Sequence, residues 1–270
     1  MGDVKVFLVF ILCFAMSCNA QNKTSIPDNH ADSKVVVKVI QAPDDINLQY
    51  LMGQFDPKSH ASFIEIPIKY ADRSGQYIRK EVFEKLVSMF DAAMNEGVKL
   101  VVRSATRNFD DQKRIWENKW TGKTILESNL NAAKDIQDDV LRVKKILEYS
   151  SMPGTSRHHW GTDMDFNSFD NTWFESGEGL KLYTWMLNNA HLYGFCQPYS
   201  KLGSDRNVGY FEEKWHWTYM PISTTMTQKA KKMITNDLIT GFLGSNTAPT
   251  VDMVKNYILG ISPSCMGAEK

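Results

Sequence analysis

The sequence predicts an α+β fold from three observations. Apolar residues recur at three- and four-residue spacing in several separate blocks. Short runs rich in β-branched or aromatic residues stand between those blocks. Helices and antiparallel-looking strands therefore come in mixed order, the pattern of an α+β protein. With 270 residues and 43% hydrophobic content, the chain is long enough for one large or two small domains with a sizeable core.

From the N-terminus, Lys5 precedes the apolar run "VFLVFILCFAM", Val6 to Met16. The run is too short to span a membrane and reads as the central part of a secretory signal. Ser17-Cys18 resembles the end of a bacterial lipobox, which would make Cys18 a lipidated N-terminus; cleavage after Ala20 would instead release a soluble protein. The lipoprotein reading is preferred, with residues 1–18 as signal and residues 19–47 as a polar tether containing a β-like "VVVKVI". On this reading the protein is exported to the periplasm or cell envelope, and its membrane contact is the anchor at Cys18. The folded part begins near Leu48.

Arg79 to Asn95 is an amphipathic helix, with Phe83, Leu86, Val87, Phe90, Ala93 and Met94 on one side and Gly97 as its stop. "VKLVVRSAT" reads as a buried strand that ends in polar residues at Arg103 to Arg107. "DDQKRIWENKW" is helical, with Asp110 or Asp111 suited to its first turn. Ile136, Val140, Val143, Ile146 and Leu147 mark another helix, broken by "SMPG". Residues 158–165 are taken as a strand, Leu180 to Tyr193 as a helix stopped by Gly194, and "YGFCQPY" and "EEKWHWTYM" as short strands. Ile222 to Lys270 reads as a mostly helical extension without legible chemistry.

Lys+Arg and Asp+Glu both number 31, so the formal charge is +0 and no basic excess points to nucleic acid. Outside the signal region the cysteines are Cys196 and Cys265; in an oxidising compartment they either pair or remain two unrelated buried thiols.

Three segments carry candidate chemistry. In "TSRHHWGTDMD" two histidines and two aspartates are crowded together, and strand alternation puts Asp163 and Asp165 on one face. Hydrogen-bonded polar residues are the plain alternative there. In "FEEKWHWTYM", Glu213 and His216 are separated by two residues. His158, Asp165 and His216 would give two imidazoles and one carboxylate, the three-ligand pattern of a catalytic zinc. Glu213 would stay unligated beside the ion, placed to take a proton from the attacking water; a surface ion pair with Lys214 is the competing reading. In "SATRNFDDQ", Ser104, Arg107 and Gln112 lie at a strand-to-helix junction, where Arg107 could hold a substrate carboxylate or an oxyanion, or pair with Asp110 or Asp111.

In this order the segments resemble the VanY-type D-alanyl-D-alanine carboxypeptidases, zinc peptidases of the LAS/M15 type that trim peptidoglycan stem peptides. S-x-H-x-x-G-x-x-x-D is met by Ser156, His158, Gly161 and Asp165; E-x-W-H by Glu213, Trp215 and His216; S-x-x-R-x-x-x-x-Q by Ser104, Arg107 and Gln112. The likeness covers roughly residues 65 to 221, within a proposed domain of residues 48–221 that leaves 222–270 outside the shared core. It implies a small antiparallel sheet flanked by helices, with one zinc at the sheet edge held by His158, Asp165 and His216. Glu213 would be the general base, with Arg107 and Ser156 positioning the stem peptide. Two departures stand out. Asp163 replaces a small residue, often alanine, and would be an acceptor behind a ligand or an influence on metal preference. Thr218 replaces a common arginine two residues beyond the last ligand, leaving the substrate-carboxylate contacts open. An L,D-carboxypeptidase, an endopeptidase and a non-catalytic envelope-binding domain are the rival readings; a copper or storage site at His158 and His159 together is geometrically awkward.

Overall fold

The computed structural model describes Met1 and residues 46–267. Cys18, the signal beyond Met1 and the tether up to residue 45 lie outside the described residues, while Ile46 and Asn47, expected in the tether, already belong to the folded body. Among those described, no helix is long and apolar enough to cross a membrane.

Among the described residues the first element is a single-turn helix, α1 (Leu48–Leu51), capped by Asn47, whose side chain accepts from Tyr50 N–H. A hairpin of β1 (Phe63–Glu65) and β2 (Tyr77–Arg79) follows, forming a separate two-stranded sheet that the periodicity reading had not anticipated. It leads directly into α2 (Lys80–Asn95), which buries Val82, Leu86, Met89, Phe90 and Ala93; Gly97, at φ +69°, follows its end.

The main sheet contains β3 (Val102–Ser104), β4 (Asp163–Phe166), β5 (Phe195–Cys196) and β6 (His216–Tyr219), in the antiparallel order β3-β4-β6-β5. Between β3 and β4 come α3 (Phe109–Trp120), α4 (Ala132–Asp135) and α5 (Asp139–Ile146), each capped by an Asn or Asp that accepts from a backbone N–H of the first turn. After β4, α6 (Gly177–Asn189) continues as a 3-10 turn over Ala190–Tyr193 and stops at Gly194, φ +88°.

Alternation along β4 separates core from site. Met164 and Phe166 are fully buried, and Phe166 meets Phe90 of α2 edge-on at 6.0 Å. Asp163 and Asp165 occupy the opposite face. The strand expected over 158–165 begins only at Asp163. Arg157–Trp160 forms a 3-10 turn because Ser156 accepts from His158 N–H, and Gly161 at φ +72° then redirects the chain. A side chain at Gly161 would also collide with Phe63 and Arg79.

The last helix, α7 (Met220–Met233), follows β6 without a break. Beyond it the chain wraps the body in single 3-10 and π turns. Trp116 Nε1 of α3 donates to Leu243 O (2.8 Å), and Ser262 N donates to Pro198 O (2.7 Å). Cys196 on β5 is disulfide-bonded to Cys265 in the tail, with Cα atoms 5.9 Å apart.

Candidate active site

The 3-10 turn, β4 and the first residue of β6 converge where the two central strands of the main sheet meet. Asp165 and His216 are directly paired across β4 and β6, and a register irregularity in β3 places Ser104 opposite Asp165. His158 Nε2 lies 3.2 Å from His216 Nδ1 and 3.3 Å from Asp165 Oδ2, while His216 Nδ1 lies 3.1 Å from Asp165 Oδ1. All three residues are at most 3% exposed.

Outer partners fix both histidine tautomers. His158 Nδ1 is 2.8 Å from the carbonyl of Ala105, which can only accept, so Nδ1 carries the proton. His216 Nε2 is 3.0 Å from Asp163 Oδ1, a buried carboxylate held below the usual range although burial opposes ionisation, chiefly by Arg157. Nε2 therefore carries that proton. In their neutral forms the rings each present a lone pair inward, and the two nitrogens face one another at 3.2 Å beside the Asp165 carboxylate. Asp165 Oδ1 is buried and makes no properly directed hydrogen bond. Such a cluster suits a positive charge at its centre, whether a metal ion or a proton on His216 Nδ1 facing Asp165. The 3.1–3.3 Å separations are near the ~3.3 Å expected between tetrahedral ligands with metal–nitrogen bonds of about 2.0–2.1 Å. The residues present fit a zinc-type ion.

Charge reinforces the fit. Burial opposes ionisation of Asp165, but His158 and His216 outweigh it and hold the carboxyl well below its usual range. Burial lowers the His158 pKa, and the Arg107 charge lowers it further, favouring the neutral ligand form. Burial works against protonation of His216 too, yet Asp163 and Asp165 lift it to about 9. A metal ion and a proton would thus compete at this ring.

Glu213 is 6% exposed, and its Oε2 lies 3.4 Å from His216 Nδ1. Its expected rival partner is engaged elsewhere, since Lys214 Nζ pairs with Glu175 Oε1 at 2.9 Å. Burial, with the Asp165 charge adding to it, pushes the Glu213 carboxyl up to about 8 against the pull of His216, Arg107 and Lys119. Without a cation this group is therefore mostly the neutral acid at pH 7, and a positive charge at the neighbouring cluster would favour the carboxylate that a general base requires.

Arg107 faces the same space. Its NH1 donates to Ser104 Oγ (2.7 Å) and its Nε to Gln112 Oε1 (3.0 Å), while Gln112 Nε2 is tied to Ser151 O (2.8 Å). Its NH1 is 3.6 Å from Asp165 Oδ2, while Asp111 faces Arg114. Ser104 and Gln112 thus hold the guanidinium in place. Arg107, Gln112, His158, Asp165, Glu213 and His216 all line one cavity of about 570 Å³; Ser104 and Ser156 do not. Ser156 is 1% exposed and spends its hydroxyl on the 3-10 turn.

Trp215 of the E-x-W-H motif lines the cavity, as do Lys119, Tyr149 and Tyr199, which no sequence motif marked. Lys119 falls on the cavity side of α3, twelve residues beyond Arg107, and only the helical register could have revealed it. His159, adjacent to a candidate ligand, points elsewhere. Its ring pairs with Arg107 O (2.7 Å) and Gly154 N–H (3.1 Å), bracing the backbone on both sides of the site.

A mixed fold with a buried carboxylate beside a cluster of two imidazoles and a second carboxylate is an arrangement suited to metal-assisted hydrolysis. The chain belongs to the VanY family, described as D-alanyl-D-alanine carboxypeptidase, whose sequence profile matches residues 75–222. The YodJ protein of Bacillus subtilis (strain 168) is 32% identical over 212 residues, covering 75% of this chain and 68% of that protein. A D-alanyl-D-alanine carboxypeptidase of Enterococcus faecalis (strain ATCC 700802 / V583) is 26% identical over 152 residues, 55% of this chain and 50% of that one. Among solved structures, VanYB in complex with D-alanine-D-alanine is 23% identical with a TM-score of 0.45, covering 66% of this chain and 85% of that chain.

Proposed function

We propose that this chain is a zinc-dependent D-alanyl-D-alanine carboxypeptidase acting on peptidoglycan stem peptides in the cell envelope. The observation that carries the reading is Glu213, buried with its Oε2 3.4 Å from His216 Nδ1, beside the cluster of His158, His216 and Asp165. A domain that only binds has no use for such a carboxylate.

His158 Nε2, His216 Nδ1 and an Asp165 oxygen would hold the ion. When bound, zinc supplies Lewis-acid polarisation of the scissile carbonyl and makes water acidic near neutral pH. Glu213 takes the proton from the attacking water as its oxygen bonds to the carbonyl carbon. It then delivers that proton to the amine nitrogen as the carbon–nitrogen bond breaks, releasing the terminal D-alanine. Arg107, fixed by Ser104 and Gln112, faces the cavity with donors for the developing oxyanion or the substrate carboxylate. The rings of Tyr199 and Trp215 form part of the apolar wall beside these groups.

Incubation with stem peptides ending in D-Ala-D-Ala should release D-alanine from the zinc-replete protein and not after chelation. Glu213→Gln should keep one zinc per chain and lower kcat by on the order of 10²–10⁴. Loss of zinc in that variant would make Glu213 a ligand and reject the role assigned to it. Release only from peptides ending in an L,D bond, or cleavage within the peptide, would replace the D,D specificity. No release from any stem peptide despite stoichiometric zinc would leave a binding module.

A further inference from the structure

The two departures from the family pattern, Asp163 and Thr218, are directly opposed in the β4–β6 register. They are also bonded to one another, with Thr218 Oγ1 donating to Asp163 Oδ2 at 2.8 Å. Thr162 Oγ1 donates to the same oxygen at 2.6 Å, leaving Oδ1 for His216 Nε2 at 3.0 Å.

A third residue completes the group. Arg157, in the turn that carries His158, extends its guanidinium beneath β4 and β6, 1% exposed. Its Nε donates to Asp163 Oδ1 (2.9 Å), its NH2 to Thr218 Oγ1 (3.0 Å) and its NH1 to Thr227 Oγ1 on α7 (2.9 Å). The indole of Trp160 covers it, with the guanidinium carbon 4.5 Å from the ring centroid. Both oxygens of Asp163 are satisfied, and the buried charge pair is neutral as a whole. None of Arg157, Asp163 and Thr218 lines the substrate cavity.

We propose that Asp163 is a positioning residue, held by Arg157, Thr162 and Thr218, which fixes the tautomer and angle of His216 so that Nδ1 points to the ion. The inference rests on His216 being a metal ligand, as in the reading above. A carboxylate cannot donate, so the contact admits only the Nε2–H tautomer. It also increases electron density on the ring and makes Nδ1 a stronger ligand. A fixed arginine from the His158 turn spans both strands, so His158 and His216 are braced through one buried unit. Threonine at 218 fits this arrangement because its short side chain accepts from Arg157 and donates to Asp163 at once.

The test is metal binding rather than turnover. Asp163→Asn keeps the side-chain shape but removes the charge, and it should weaken zinc binding about 10- to 100-fold in competition with a chromogenic chelator. The visible spectrum of the cobalt-substituted protein should shift with it. Thr218→Val leaves the Asp163–His216 contact in place and should cost less affinity than Asp163→Asn. Should Asp163→Asn fail to fold with Arg157 left uncompensated, the neutral pair Arg157→Gln/Asp163→Asn is read in the same two assays. Wild-type affinity and an unchanged cobalt spectrum in the folded Asp163 variant would overturn the proposal. Failure of the wild-type protein to bind zinc would instead reject the metal reading, so the two failures are distinct.

Discussion

At the scale of single residues, identical chemical groups acquire different work from their surroundings. His158 and His159 are neighbours, yet one faces the ion cluster and the other joins two backbone segments. Spacing pointed to the candidate ligands His158, Asp165 and His216 and to Glu213, which the fold brings together, because a metal site demands particular donor types at particular separations. It could not separate residues that touch substrate from those that hold them: Ser104 and Ser156 sit in motif positions but are spent on internal bonds. Arg157 was illegible for another reason. Its partners Asp163, Thr218 and Thr227 are up to 70 residues away in sequence. His159 supports a prediction at this scale. Burial holds its pKa at about 3, well below the ordinary value, so it stays neutral when folded. Once unfolded, it gains a proton below about pH 6.5. The unfolded state then binds more protons, so stability falls as pH drops from about 6.5 towards 3. His159→Gln can still donate to Arg107 O and accept from Gly154 N–H. Comparing thermal or urea unfolding across this range should show a shallower acid slope in the variant, by up to about 1.4 kcal/mol per pH unit. Parallel slopes would mean that His159 titrates normally in the folded protein.

At the scale of elements, the long helices were the most legible parts. The predicted span Arg79 to Asn95 begins one residue before α2, and "DDQKRIWENKW" falls inside α3. Their apolar stripes and caps are local signals. The short strands were harder, since β5 has two residues and β4 four, fewer than an alternation pattern needs to declare itself. The β1–β2 hairpin escaped notice because each strand spans only three residues. The disulfide needed the fold, for outside the signal region the sequence offers Cys196 and Cys265, 69 residues apart, with no local cue that they meet. It ties edge strand β5, next to the strand that carries His216, to the tail. Replacing both cysteines by alanine should lower the unfolding free energy by about 2–5 kcal/mol, as expected for a native crosslink closing a long loop. Denaturant unfolding would measure this; an equal midpoint in both proteins would show that the tail is already secured by its packing.

For the molecule as a whole, the open matter is whether residues beyond α7 are an accessory or part of the core. The sequence offered no chemistry there, and the proposed domain limit at residue 221 falls one residue inside α7. The physical contacts argue for integration. Phe242 packs against Trp116 and Phe109 of α3, the helix that supplies Gln112 and Lys119 to the cavity. Tyr257 packs on Tyr210 in the cavity wall, and Arg206 NH1 donates to Gly260 O. Ile239, Phe242, Val251, Met253, Ile258 and Ile261 are each no more than 8% exposed. At about 1.5–3 kcal/mol per buried side chain, those six represent about 9–18 kcal/mol as an upper figure. That rivals the whole stability of an ordinary domain, about 5–15 kcal/mol. Truncation after Met233 should therefore abolish cooperative thermal unfolding and red-shift the tryptophan emission as Trp116 and Trp120 become wet. Zinc should not restore the fold, because the ligands lie on elements whose packing has been lost. A truncated chain that unfolds cooperatively and keeps wild-type zinc affinity would make the tail a dispensable cover.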